Sequence, residues 1–141
     1  MRLFLDTSAL VKLYVAEPGS LELRQQCTGA EILVSCLAYG EAYATFWRLI
    51  REGLLSPAGY ETLRHTFEAD WTSVTTIYLS EEVLAHVPEL CSRHPLRGAD
   101  ALQLACAMEM VWTGVSLSFV ASDRRLLQAA AAEGLECFDP S

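Results

Sequence analysis

Four carboxylates stand where acids are uncommon. Asp6 closes the apolar run "LFL" and leads directly into "TSALV". Glu41 lies inside the apolar segment "LVSCLAYGEAYATFWRL". Asp100 opens "DALQLACAM", the start of the most apolar helical stretch in the chain, and Asp123 follows "VSLSFVAS". Taken singly, Asp6, Asp100 and Asp123 read as helix caps, because a carboxylate at a helix start accepts from free backbone N–H groups and complements the dipole. Glu41 alone reads as a solvated acid at the polar edge of its helix, with Thr45 and Arg48 beside it. As a set they suggest different chemistry. Four carboxylates sharing one pocket repel each other unless a cation neutralises them. An all-oxygen donor set without His or Cys suits a hard divalent ion, Mg²⁺ or Mn²⁺. Such an ion activates water and stabilises in-line displacement at a phosphate.

Convergence of the four depends on the elements that carry them. Arg2 to Leu5 reads as a strand and Thr7 to Ala16 as a helix stopped near "EPGS". Leu21 to Cys27 is a short helix and Ile32 to Ser35 a second strand. Leu37 to Arg51 is a helix with Ala42, Phe46, Leu49 and Ile50 on one face. Ser56 followed by Pro57 starts a helix that runs to about Asp70. Thr75 to Leu79 is a β-branched and aromatic strand, and Ser80 opens the next helix. Ala99 to Thr113 is apolar nearly all round, as in a helix buried on most sides. Val115 to Val120 is a strand, Arg124 to Glu133 a helix closed by Gly134, and Leu135 to Phe138 a last strand. Strands alternating with helices predict an α/β fold: a three-layer α/β/α sandwich on a central parallel sheet of about five strands. Ligand sites in such sheets lie beyond the carboxyl ends of the strands, where the strand order reverses. Asp6 and Asp123 face each other there if their strands are neighbours.

The 141 residues suit one domain, with 52% of them apolar, enough for a core without disulfide or metal staples. No apolar run has the length of a membrane span, and the run before Asp6 is too short for a signal peptide. The expected location is cytoplasmic, with no membrane partner. Cys27, Cys36, Cys91, Cys106 and Cys137 are odd in number and form no CxxC pair, so they read as small hydrophobes in a reducing compartment. The histidines show no zinc-ligand spacing with them. The net charge of −8 argues against a general nucleic-acid binder. It is compatible with a protein that gathers acids around metal.

The segments "LFLDTSALVKLYVAEPGS", "LVSCLAYGEAYATFWRL", "PLRGADALQLACAM" and "FVASDRRLLQAAAAEGLECFDP" occur in this order across essentially the whole chain. Together they resemble the PIN-domain family, and within it the VapC-type ribonuclease toxins of toxin–antitoxin pairs. The resemblance implies a single PIN-like domain over residues 1–141 and a Mg²⁺- or Mn²⁺-dependent endoribonuclease that cuts RNA. It implies that Asp6, Glu41, Asp100 and Asp123 are the catalytic metal ligands, with Thr7 and Ser8 supporting the first acid. It further implies a homodimer and a small antitoxin protein as inhibitor. Some relatives have another acid two residues before the position of Asp123, where this chain has Ala121, and relatives often carry His at the position of Gln103.

An acidic chain must steer RNA with local cations. Lys12, Arg48, Arg93, Arg97, Arg124 and Arg125 are the candidates, several being close in sequence to the acids; each alone also reads as a solvated surface residue. The helices carrying Tyr39, Tyr43, Phe46, Trp47 and Tyr60 supply either core or a partner surface. Other readings stay open. A metal-dependent phosphatase also has an Asp after its first strand, but its second Asp, two residues on, is Ser8 here, and no P-loop is present. A DNA-directed nuclease, a PIN-like nuclease outside a toxin–antitoxin pair and an inactive interaction module are the remaining alternatives.

Overall fold

A computed structural model describes residues 1–140. Five strands, β1 (Arg2–Leu5), β2 (Glu31–Ser35), β3 (Thr75–Ile77), β4 (Ser118–Val120) and β5 (Glu136–Phe138), form one sheet in the order β3-β2-β1-β4-β5. Every pairing is parallel. Helices α1 (Thr7–Lys12) and α2 (Ser20–Cys27) join β1 to β2, and α3 (Leu37–Arg51) with α4 (Pro57–Trp71) joins β2 to β3. Then α5 (Glu81–Leu84), α6 (Val87–Arg93) and α7 (Gly98–Trp112) lead to β4, and α8 (Arg124–Ala132) to β5. From β1 the chain builds outward to one edge through β2 and β3, and to the other through β4 and β5. The order therefore reverses at β1, between the ends that carry Asp6 and Asp123.

The period-2 alternation of the strands sorts the core into two halves. Leu3, Leu5, Val34 and Val120 pack with α1 to α4, around Ala38, Ala42, Phe46, Leu63 and Phe67. Phe4, Leu33 and Phe119 pack on the opposite face with Val83 of α5, Leu90 of α6, Leu104 to Ala107 of α7 and Leu126 of α8. The Phe4 and Phe119 rings stack across the β1–β4 pair at 5.5 Å. Complete burial of one such ring contributes about 2–3 kcal/mol. The predicted three-layer α/β/α sandwich is the observed architecture. Of the aromatic residues on α3 and α4, Phe46 and Tyr60 belong to the core, Tyr43 is half-buried, and Tyr39 and Trp47 are exposed.

Several element ends differ from expectation. The first helix stops at Lys12 instead of Ala16, its last turn tightening as Leu13 and Tyr14 donate to carbonyls three residues back. The strand predicted from Val115 begins at Ser118. Gly114 has a φ of +100°, and Gly114 N–H and Val115 N–H close α7 by donating to Val111 and Met110. That left-handed cap consumes Val115. Gly134 and Leu135 close α8 in the same manner, donating to Ala131 and Ala130, so β5 begins at Glu136. β3 ends at Ile77 rather than Leu79, and the segment opened by Ser80 divides into α5 and α6. Cys106 is buried, Cys27 and Cys36 are half-buried, and Cys91 and Cys137 are exposed; all five are free. No helix among the described residues is long and apolar enough to cross a membrane.

Candidate active site at the carboxyl edge of the sheet

Asp6 is the residue after β1, and its own N–H donates to the carbonyl of Val120, the last residue of β4, at 3.0 Å. This bond pins the start of α1 to the neighbouring strand. The Asp6 carboxylate caps α1, accepting from Ala9 N–H at 2.9 Å. The Ser8 hydroxyl lies 2.7 and 2.9 Å from its two oxygens. Asp123 caps α8 in parallel fashion, accepting from Leu126 N–H at 2.9 Å. The capping reading therefore holds for Asp6 and Asp123 but not for Asp100, because the N-cap of α7 is Arg97. Asp100 sits in the first turn of α7, and Glu41 one turn into α3.

The four acids feel each other. Burial pushes the Asp6 carboxyl up to about 6; the bonds from Ala9 and Ser8 oppose this, and the negative charges of Asp100 and Asp123 add to it. Asp100 is held above the usual carboxylate range by partial burial, then by the charges of Asp123 and Glu41, with Arg97 pulling the other way. Charge repulsion therefore links Asp100 of one helical layer to Glu41 of the other, and Asp100 to Asp6 and Asp123 at the strand ends.

Glu41 is anchored by residues from two other helices. Thr7 Oγ1 donates to Glu41 Oε1 at 2.6 Å. Gln103 of α7 donates from Nε2 to Glu41 Oε1 at 3.0 Å and to Thr7 Oγ1 at 2.9 Å. A carboxylate only accepts, so the amide must present its nitrogen to Glu41. Gln103 is 2% exposed, and it ties the two helical layers together at the mouth of the crevice. The expectation that both hydroxyls support the first acid is half corrected: Ser8 holds Asp6, whereas Thr7 holds Glu41. Gln103 is the site residue that reading the sequence left without a role. Its position one turn after Asp100 on the same helix was the available signal.

The expected cations divide. Lys12 is 6% exposed, donates to the Pro18 carbonyl at 2.8 Å and pairs with Glu17 at 3.4 Å; burial in this turn takes it out of solution. Arg93 is held by Glu133 at 2.9 Å and Glu89 at 3.0 Å, beside a cavity that contains none of the four acids. Neither fits a steering role. Arg48 lines a cavity with Thr7 and Ser8, and pairs with Glu52 at 3.3 Å. Arg97, Arg124 and Arg125 line the cavity that contains Asp100 and Asp123. His94, expected in a solvated loop, instead lies 2.6 Å from Glu133.

The donor set fits a hard divalent cation. It consists of carboxylates and hydroxyls, and the charge repulsion at Asp6 and Asp100 is what a cation would relieve. Among the described residues, no three His, Cys, Asp or Glu side chains are grouped closely enough to hold a metal ion as they stand. The open cavity lined by Asp100 and Asp123 leaves room for Mg²⁺, which keeps several waters and shares its coordination with substrate phosphate. Gln103 Oε1 and Ser122 Oγ are buried polar atoms without a hydrogen-bond partner among the described residues.

A parallel sheet of this order with helices on both faces defines an α/β/α protein. Residues 3–132 match the PIN domain, and the chain belongs to that family. It is 32% identical over 132 residues to Ribonuclease VapC45 of Mycobacterium tuberculosis, covering 93% of this chain and 90% of the relative. Among solved structures, VapBC2 from Rickettsia felis bound to a promoter DNA fragment superposes with a TM-score of 0.69, at 14% identity over 99% of this chain and 98% of that one. A toxin–antitoxin complex from Klebsiella pneumoniae gives 0.67, at 16% identity over the same shares.

Proposed function

We propose that this protein is a divalent-metal-dependent endoribonuclease and the toxin of a toxin–antitoxin pair. What supports the reading is the charge repulsion that links Asp6, Asp100 and Asp123, and Asp100 with Glu41, at the carboxyl edge of the sheet, in a chain 32% identical to a relative named as a ribonuclease. Asp6, Asp100 and Asp123 would hold Mg²⁺ or Mn²⁺, with Glu41 completing the set. A bound ion of this kind supplies a lowered water pKa and charge stabilisation at a phosphodiester.

The protein's own groups prepare the site. Ser8 and Ala9 N–H fix the Asp6 carboxylate in one rotamer, aimed beyond the strand end. Thr7 and Gln103 occupy Glu41 Oε1, which leaves Oε2 available to the crevice. No His takes part: His86 and His94 are paired with Glu109 and Glu133. Helix caps and parallel strands hold the acids, so little reorganisation is needed when substrate arrives.

The antitoxin is a small protein encoded beside the toxin, and the same fold occurs in a Klebsiella pneumoniae toxin–antitoxin complex. A homodimer belongs to the same reading, with the exposed Tyr39 and Trp47 as available apolar surface. The test is cleavage of matched RNA and DNA oligonucleotides with Mg²⁺ or Mn²⁺. RNA is cut and DNA is not; chelator and Asp6→Asn each abolish the reaction. Expression arrests growth, and co-expression of the adjacent small gene relieves it. Cutting of DNA alone, or RNA cleavage that survives chelator, contradicts the proposal.

A further inference from the structure

We propose that Arg97, Arg124 and Arg125 form a phosphate subsite that carries the RNA strand away from the acids on one side only. The inference rests on the nuclease reading above. Most cations of this chain are already engaged. Among the described residues, Arg2, Lys12, Arg48, Arg64 and Arg93 are paired with carboxylates, and Arg24 donates to the Leu13 carbonyl. Among the described residues the guanidinium groups of Arg51, Arg97, Arg124 and Arg125 are in no ion pair or hydrogen bond, and the last three line one cavity of about 350 Å³. Asp100 and Asp123 line the same cavity, and the guanidinium groups do not close onto them within ion-pair distance. Three open guanidinium forks beside two metal-ligand candidates suit a chain of phosphates, one at the acids and the next among the arginines. The volume is sufficient for a nucleotide-sized group.

The opposite flank differs. Its cavity is lined by Thr7, Ser8, Lys12, Glu17 and Arg48, and both cations there are already neutralised, Lys12 by Glu17 and Arg48 by Glu52. A polyanion gains little on that side. The strand therefore runs over the N-terminal turns of α7 and α8 rather than over α1 and α3. An acidic protein segment is the weaker fit, since it would bring carboxylates against Asp100 and Asp123 without the spacing of a phosphodiester backbone.

The experiment measures binding of a short labelled single-stranded RNA to the full chain in an Asp6→Asn background, with Mg²⁺, from about 50 to about 200 mM salt. Each phosphate contact to a single strand contributes about 0.7 to the slope of log affinity against log salt. Replacing Arg124 and Arg125 with Ala should lower the slope by about 1.4, so the parent loses roughly sevenfold more affinity than the variant across that range. Arg64→Ala with Arg93→Ala removes the same net charge elsewhere and should leave the slope unchanged, as should Arg48→Ala. The Gln variants of Arg124 and Arg125 serve if the Ala variants lose their circular-dichroism signature. An unchanged slope in the Arg124 and Arg125 variants, an equal loss in the charge-matched control, or no salt-dependent binding by the parent overturns the subsite. So does intact RNA binding combined with lost capture of the adjacent gene's product. Continued RNA cleavage by Asp6→Asn would instead count against the nuclease reading, and the binding slopes would still decide the subsite.

Discussion

Asp6 carries opposing demands. Its carboxyl is pushed up to about 6 from an ordinary 3.8, mainly by burial. The folded state therefore holds the Asp6 proton more tightly than the unfolded chain does. This group's contribution to stability is greatest below 3.8 and is lost as pH rises through about 6. At neutral pH and without metal, the ionised carboxylate costs about 3 kcal/mol. Asp6→Asn, whose side-chain oxygen still accepts from Ala9 and Ser8, should raise metal-free stability at pH 7 by up to about that amount, read from urea melts in chelator. Stabilisation by a substitution that ends cleavage would mark Asp6 as retained for function. Gln103 supplies a second test. Gln103→Leu keeps the volume but removes the bonds to Glu41 and Thr7, and should cost about 1–3 kcal/mol. Loss of such an orienting bond should also weaken Mn²⁺ binding by about 10-fold or more, measured by calorimetry. Full stability loss with unchanged Mn²⁺ affinity would make Gln103 a packing residue only.

Helix α8 shows how one residue serves element and site together. Asp123→Ser retains an oxygen that accepts from Leu126 N–H, while Asp123→Ala retains none. Both should abolish cleavage, but only the Ala variant should lose about 1 kcal/mol in thermal melts. The elements were largely legible in the sequence because apolar alternation, Ser56–Pro57 and Gly134 are local signals. Leu37–Arg51 has the predicted bounds. Strand starts after α7 and α8 were not legible, because Val115 and Leu135 read as β-formers yet are consumed by glycine-dependent caps. Asp6, Glu41, Asp100 and Asp123 were proposed as a group because their order along the chain matches a family pattern. The bond from Thr7 to Glu41 spans 34 positions and depends on how α1 lies against α3, which no local pattern encodes. Lys12 and Arg93 fit poorly as RNA contacts for the same reason: nearness in sequence to an acid or its segment did not place them in the crevice.

At the scale of the whole molecule, a net charge of −8 and the raised carboxyls of Asp6 and Asp100 should make stability depend on bound cations. Mg²⁺ at about 100 times its dissociation constant should stabilise the protein by about 2.7 kcal/mol. The gain should appear in thermal melts at pH 7.5 and shrink at pH 5, where Asp6 is largely protonated and must release its proton before binding metal. Asp6→Asn should show little of it at either pH. An equal Mg²⁺ gain in that variant would put the ion elsewhere. The central claim is that four acids from three layers of the sandwich act as one metal-dependent site on RNA. It is tested most directly by cleavage of an end-labelled RNA with Mn²⁺, comparing the wild type with Asp6→Asn, Glu41→Gln, Asp100→Asn and Asp123→Asn. The predicted result is cleavage by the wild type alone, abolished by chelator and restored by added Mn²⁺. Cleavage that persists in chelator, or in any folded acid variant at the wild-type rate, would contradict it.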